Sequence, residues 1–168
     1  MARDVRVRPA LPGDHERILA LNEGALPNVS RISSDELDRL AAQACAFLAA
    51  ELGGRVQGFL LALPEGREYA SLNYRWFTKR YPRFVYVDRL AVAPEQRGLG
   101  IGQQLYTSLF AGSAASAPGV ACEVNLQPPN PGSMRFHAGL GFNPVGEQST
   151  EGGRKRVQFM WRPFGSSL

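Results

Sequence analysis

Hydrophobic and polar positions change their period along the chain, and the changes mark out elements. Val5 and Val7 alternate with polar neighbours, which predicts a short first strand. Leu11-Pro12-Gly13 is a turn. Asp14 then stands as the N-cap of a helix from His15 to about Glu23, with Ile18, Leu19 and Leu21 on its buried side. His15 falls in the exposed first turn. Ser33 and Glu36 have capping-box spacing and open a second helix, with Leu37, Leu40 and Ala41 on one face, that ends near Ala44. Residues 46–52 and 56–63 read as two strands joined at Gly53-Gly54, an antiparallel pair. Residues 64–82 keep no period and predict a long connection.

The stretch from Phe84 to Phe110 organises the rest. Residues 84–92 are rich in β-branched and aromatic side chains, the composition of a half-buried strand. Pro94 removes a backbone donor and stops that strand. Gly98, Gly100 and Gly102 follow at alternate positions, and Leu105, Tyr106 and Leu109 then fall on one helical face. The helix fades over residues 111–117, and residues 120–126 form a further strand. Pro128-Pro129-Asn130-Pro131-Gly132 is a stiff loop before a short helix to about Gly139. Gly141-Phe142-Asn143-Pro144 turns into a strand ending near Gln148. Glu151-Gly152-Gly153 is another turn, and residues 157–162 are the last strand. Interleaved helices and strands define an α/β domain with a mixed sheet.

Composition narrows the class. With 168 residues, 44% hydrophobic and 20% charged, the chain predicts one globular domain over residues 1–168. No apolar run is long enough to span a bilayer, and the N-terminal stretch has no signal-peptide core. A cytoplasmic protein without a membrane partner is therefore expected. Cys45 and Cys122 lie in apolar settings without metal-ligand spacing and are expected to be reduced and buried. The formal charge of +4 is dispersed, and Arg154, Lys155 and Arg156 form its one tight cluster. That reads as a solvated hairpin tip rather than a nucleic-acid surface, which needs a longer stripe with aromatics. Two histidines without clustered ligands argue against a catalytic metal.

The glycine turn has a chemistry. Glycines let backbone approach a ligand, and the unpaired N–H groups and dipole at a helix start attract a phosphate or pyrophosphate. Three glycines near a helix start are also compatible with a packing turn, so the spacing decides. A Walker A loop requires Gly-Lys-Ser/Thr, but Gln103 and Gln104 follow Gly102. The dinucleotide fingerprint requires glycine where Gln103 stands. Arg97-Gly98-Leu99-Gly100-Ile101-Gly102 instead resembles the acyl-CoA pyrophosphate loop of GCN5-related N-acetyltransferases, Arg/Gln-x-x-Gly-x-Gly/Ala. Leu90-Ala91-Val92-Ala93-Pro94 resembles the fourth strand of that family and its exit. The order of elements agrees along almost the whole chain. The resemblance implies a mostly antiparallel mixed sheet of about seven strands flanked by about four helices. It also implies acetyl-CoA as co-substrate, held where the fourth and fifth strands splay.

Site residues follow from the same resemblance. Residues 97–102 would bind pyrophosphate through backbone N–H groups, with Arg97 adding charge or pointing to solvent. Leu90, Ala91 and Val92 would line the pantetheine arm. Asn130 would contact pantetheine or the thioester neighbourhood, and Ser133 stands where a small residue is usual. His137 occupies the position of the family's tyrosine acid, before Leu140-Gly141-Phe142. Imidazole there is a proton donor to the leaving thiolate, a base toward the amine, or a helix histidine with no proton role. Asp88 shares strand parity with Leu90 and Val92, which makes it a base or ammonium-binding group, or else a structural carboxylate. Adjacent Arg89 should point the other way and not pair with it. Glu123, in the fifth strand, is the reserve base. Tyr74, Trp76 and Phe77, on the long connection, wall a substrate pocket, form a dimer contact, or tuck into the core.

The function implied is direct transfer of acetyl from acetyl-CoA to a primary amine of a small or amino-acid-like acceptor, in a ternary complex. A homodimer through the final strands is the family expectation. A catalytically silent acyl-CoA sensor is the alternative, and a nucleic-acid- or protein-binding domain is a third reading. The acceptor itself is not legible in these residues.

Overall fold

The computed structural model of the protein describes residues 4–165. The two ends of the 1–168 domain expectation, including the start of the N-terminal stretch, lie outside the described residues. The elements in chain order are β1 (Val5–Pro9), α1 (His15–Glu23), α2 (Ser34–Gln43), β2 (Ala46–Leu52), β3 (Arg55–Pro64), α3 (Leu72–Thr78) and β4 (Val85–Val92). After them come α4 (Ile101–Ser113), β5 (Gly119–Gln127), α5 (Pro131–Gly139), β6 (Asn143–Thr150) and β7 (Lys155–Pro163). The hydrogen-bonded strand order is β1-β2-β3-β4-β5-β7-β6. The pairs β1–β2, β2–β3, β5–β7 and β6–β7 are antiparallel. β4 and β5 run parallel, in register at Val85↔Val120 and Tyr86↔Ala121. The mixed α/β class, the seven strands and the flanking helices, five among the described residues, are as expected.

Two compact units divide the chain, residues 4–63 with 87–112 and residues 64–86 with 113–165. In the first unit, α2 begins as its sequence dictates. Ser33 Oγ accepts from the Glu36 N–H at 3.2 Å, and Glu36 Oε2 accepts from the Ser33 N–H at 3.0 Å. Leu37 and Leu40 are buried on one face of α2, and Ile18 and Leu21 on one face of α1. Asp14 departs from its expected role. Its carboxylate accepts from Arg8 at 2.7 and 3.0 Å and from the Leu11 N–H at 2.8 Å, and makes no side-chain cap to α1. A guanidinium fork within reach outcompetes a single amide for the same carboxylate. The Arg8 hydrogen bonds hold the Asp14 carboxyl below its ordinary value, against the opposing pull of burial.

The second unit corrects the sequence reading most. Within the expected connection lies α3, capped by Ser71, whose Oγ accepts from the Tyr74 N–H at 3.3 Å. Tyr74 and Phe77 are core residues, 2% and 0% exposed, and Tyr74 also lines a surface cavity with Arg67, Tyr69 and Thr78. The Tyr74 and Phe77 rings pack edge-on against Tyr86 and Phe159 respectively, at 5.5 and 5.3 Å. Trp76 is half-buried and stacks on Phe159 at 4.2 Å, with the Arg80 guanidinium 4.0 Å above its ring. Burying this aromatic surface is what stabilises so short a helix. Of the two cysteines, Cys122 is buried as expected, but Cys45 is exposed at the α2–β2 joint.

Close ring packing sets a limit on backbone bulk. A Cβ at Gly119 would stand 2.5 Å from Trp161 Cζ2 and 2.7 Å from the Arg162 carbonyl oxygen. Because a backbone oxygen cannot swing aside, Gly119→Ala is expected to lower stability by about 1–3 kcal/mol, read from denaturant midpoints at unchanged m. A midpoint within error of the parent would contradict that packing.

Candidate functional site

In the first unit β4 runs out at Val92, and the Ala93 N–H is taken by the Gln57 carbonyl at 2.8 Å. A single 3₁₀ turn over Pro94–Gln96 follows. Gly98 and Gly100 then adopt φ of +78° and +83°, a left-handed backbone that strains any other residue. Neither has a protein atom within 4 Å of where a Cβ would lie, so the backbone angle and not crowding demands glycine. α4 starts at Ile101, with the Gln104 N–H bonded to the Gly100 carbonyl. Leu105, Tyr106 and Leu109 are buried on the expected face. The N–H groups opening this 13-residue helix have no partner within it.

The helix start is seated by a residue the sequence reading passed over. A Cβ on Gly58 of β3 would meet Ile101 Cγ2 at 3.0 Å and the Ala91 carbonyl at 3.3 Å. Glycine at that strand position lets the first turn of α4 lie close on the sheet. An isolated glycine inside a strand, between Gln57 and Phe59, was the available signal. Arg97 is exposed, but its guanidinium is held at the surface: Nε donates to the Val92 carbonyl at 3.2 Å and Nη2 to the Gly24 carbonyl at 3.4 Å. The guanidinium therefore ties the turn back to the strand exit and to the end of α1. Leu90 is half-buried; Ala91 and Val92 are buried.

Asp88 and Arg89 do pair, contrary to expectation. Arg89 Nε donates to Asp88 Oδ2 at 2.7 Å, with side-chain exposures of 5% and 4%. Alternation fixes where each Cβ leaves the strand, not where a long guanidinium stem ends. Arg89 Nη1 also donates to Asn22 Oδ1 and to the Ser30 carbonyl, both at 3.0 Å, and Nη2 to Ser30 Oγ at 3.3 Å. A buried ion pair is tolerated when such hydrogen bonds complete it.

In the second unit Asn130, Ser133 and His137 lie along α5. Asn130 is the N-cap, its Oδ1 accepting from the Ser133 N–H at 3.3 Å. The Ser133 carbonyl stands 2.8 Å from His137 Nδ1, and Ser133 Oγ 3.2 Å from the same nitrogen. A carbonyl oxygen only accepts, so Nδ1 carries the hydrogen and the neutral ring keeps its lone pair on Nε2. His137 is 7% exposed, edge-on to Phe136 and Phe142. Burial pushes its pKa below the ordinary 6.5, and the bond to the Ser133 carbonyl opposes this only in part. The imidazole is thus held neutral at physiological pH, which disfavours the proton-donor role that the family tyrosine position suggested. Gly141, at φ +92°, ends α5, where the Phe142 N–H reaches the His137 carbonyl at 3.1 Å.

Glu123 of β5 is half-buried, and its Oε2 accepts from the Tyr86 hydroxyl at 2.7 Å. Nearby on β5, Asn125 is 6% exposed, and among the described residues its Nδ2 has no hydrogen-bond partner. Among the described residues no cluster of His, Cys, Asp and Glu could hold a metal, and no helix is long and apolar enough to cross a membrane.

With this geometry in place, comparison with known proteins is informative. A sequence model described as the acetyltransferase (GNAT) family matches residues 16–142. The chain belongs to that family. Among solved structures it is similar to Ard1 from Thermoplasma volcanium, with TM-score 0.77, 17% identity, and coverage of 99% of this chain and 100% of that one. It is also similar to the ribosomal-protein-S18-alanine N-acetyltransferase from Escherichia coli, with TM-score 0.75, 15% identity and 98% and 97% coverage. Arabidopsis thaliana NAA60, solved with a bisubstrate analogue, matches with TM-score 0.74, 20% identity and 98% and 100% coverage. At these identities the likeness is one of fold. No curated protein sequence matches the chain.

His137 gives a signed pH prediction. Its folded pKa lies below the unfolded value near 6.5, so as pH falls through 6.5 the unfolded chain takes the proton first. The stability tied to the neutral ring is complete above pH 6.5 and lost below it. Wild type should therefore lose more unfolding free energy than His137→Gln between pH 7 and pH 5. Parallel losses in the two proteins would show that the ring is not held neutral.

Proposed function

We propose that this chain is an acyl-CoA-dependent N-acetyltransferase that moves the acetyl group of acetyl-CoA to a primary amine of a small or amino-acid-like acceptor. The reading rests on one observation above others: the start of α4, where left-handed Gly98 and Gly100 lead into helix N–H groups that have no partner within the helix. That donor set, neutral but electropositive, suits a diphosphate. Family membership supports it independently.

When bound, acetyl-CoA supplies the activated acyl thioester. In this reading the N–H groups of residues 97–102 hold its diphosphate. Arg97 acts by bracing the turn rather than by contacting phosphate, since its guanidinium is bonded to two backbone carbonyls. The backbone of Leu90, Ala91 and Val92 serves the pantetheine arm, and Asn130 and Ser133 shape the start of α5. A strand amide stabilises the developing oxyanion, and fixed positions of the two reactants supply much of the acceleration. A carboxylate takes the amine proton. A thiolate is a good leaving group near neutrality, given an ordinary thiol pKa of about 8.5. A neutral His137 is then no obstacle to turnover.

The test is a thermal-shift titration with acetyl-CoA beside an assay of thiol released across amines, amino acids and peptide N-termini. Stabilisation with thiol release is expected. Stabilisation without release in any arm would favour the sensor reading, and no stabilisation would sink the proposal. Gly100→Ala should weaken acetyl-CoA binding about tenfold, because a left-handed alanine costs about 1–2 kcal/mol. Unchanged affinity would move the diphosphate site elsewhere.

A further inference from the structure

The second unit carries an excess of positive charge that the acetyltransferase reading leaves unused. Its described residues hold ten Lys and Arg against five Asp and Glu, whereas those of the first unit hold eight against ten. Four of these cations, Arg75, Lys79, Arg80 and Arg83, fall within residues 75–83, where no acidic side chain stands, and all four are exposed. Two of them are fastened. The Arg80 guanidinium lies over the Trp76 ring and donates to the Trp76 carbonyl at 3.0 Å, and Arg83 donates to the Ser116 carbonyl. Arg75 and Lys79 make no side-chain hydrogen bond or ion pair among the described residues. Lys79 keeps helical backbone angles at the end of α3, so it shares one face with Arg75 and with Leu72, 53% exposed. Arg75 and Thr78 also border the surface cavity, about 520 Å³, with Arg67, Glu68 and Tyr69. Its wall holds both signs of charge, so the row of cations and not the cavity sets the sign of what binds.

We propose that the row from Arg75 to Arg83 is a docking surface for an acidic polypeptide, a segment with Asp or Glu at alternate positions. Spacing carries the choice. Arg75 and Lys79 stand about one turn apart, roughly 6 Å along the helix axis. Alternate side chains of an extended chain stand about 6–7 Å apart on one face, so two carboxylates meet both cations without bending the segment. The fastened guanidiniums of Arg80 and Arg83 lengthen the row with little further loss of side-chain entropy. A nucleic acid fits less well. Single strands are gripped by stacking bases on aromatic rings, and the rings of this stretch are engaged within the fold. Tyr74 and Phe77 are buried, Trp76 stacks on Phe159 at 4.2 Å, and Tyr81 stacks on Trp161 at 4.4 Å. This surface would hold its partner whether or not the chain transfers acetyl groups.

Fluorescence anisotropy on the full chain tests this with an end-labelled peptide of alternating glutamate and serine. The peptide should bind, and more weakly at physiological than at low ionic strength, while its glutamine–serine analogue should not bind. Arg75→Gln combined with Lys79→Gln should weaken binding about fivefold, the scale of two exposed ion pairs. Arg39→Gln combined with Arg55→Gln removes the same charge from exposed positions of the first unit and should leave binding within about twofold of the parent. Because all four side chains are exposed, both double variants should unfold at the parent's midpoint. Equal losses in the two pairs would overturn the proposal, since the protein's overall charge and not this row would then attract the peptide. No binding of the glutamate peptide to wild type would overturn it outright. An RNA strand of the same charge bound more tightly than the peptide would overturn the polypeptide partner and reassign the row to nucleic acid. Displacement of the peptide by saturating coenzyme A would also overturn it, because the peptide would then occupy the polyanion site at the start of α4.

Discussion

The seating of one helix start governs the chemistry available to this chain. β4 must end, turn and launch α4 within a few residues, and the launch has to leave helix N–H groups facing outward. Two glycines at positive φ make the turn possible. A third glycine, on β3, lets Ile101 settle 3.0 Å from where its Cβ would be. Arg97 fastens the turn to the strand exit with bonds to the Val92 and Gly24 carbonyls. Together these fix a set of backbone donors at the start of α4. Such a site discriminates by shape and dipole rather than by net charge, as suits a large polyanion met in a mildly basic protein.

Two carboxylates on neighbouring strands illustrate how environment separates residues of similar composition. Asp88 is locked to Arg89, which also anchors Asn22 and Ser30 and so joins α1 and the segment after it to β4. That carboxylate is part of the scaffold of the first unit. Glu123 is half-buried, and its Oε2 accepts from the Tyr86 hydroxyl at 2.7 Å. His137 shows the same principle in a base. One hydrogen bond to a carbonyl sets its tautomer, and burial among rings sets its charge.

Much of the fold was legible because the punctuation is strong. The Ser33–Glu36 box, the Gly53-Gly54 turn, Pro94 and the Leu105-Tyr106-Leu109 face all stand where the periods placed them. α3 escaped because seven residues dominated by aromatics repeat no helical period, and the helix is stabilised by partners distant in sequence. The Asp88–Arg89 pair escaped because alternation describes strand geometry and not side-chain reach. Tyr86 and Glu123 could not be joined beforehand, since their bond depends on parallel β4–β5 register. The motif residues Asn130, Ser133 and Gly141 were found, yet their local work is capping, which the motif spacing alone did not separate from ligand contact.

The most direct test of the account follows backbone amide resonances while coenzyme A is titrated into the labelled protein. Amides of residues 98–103 should move downfield together and saturate along one binding curve, as donors engaging a diphosphate do. Binding that leaves those amides unmoved would contradict the account, because the anion would then be held somewhere other than the start of α4.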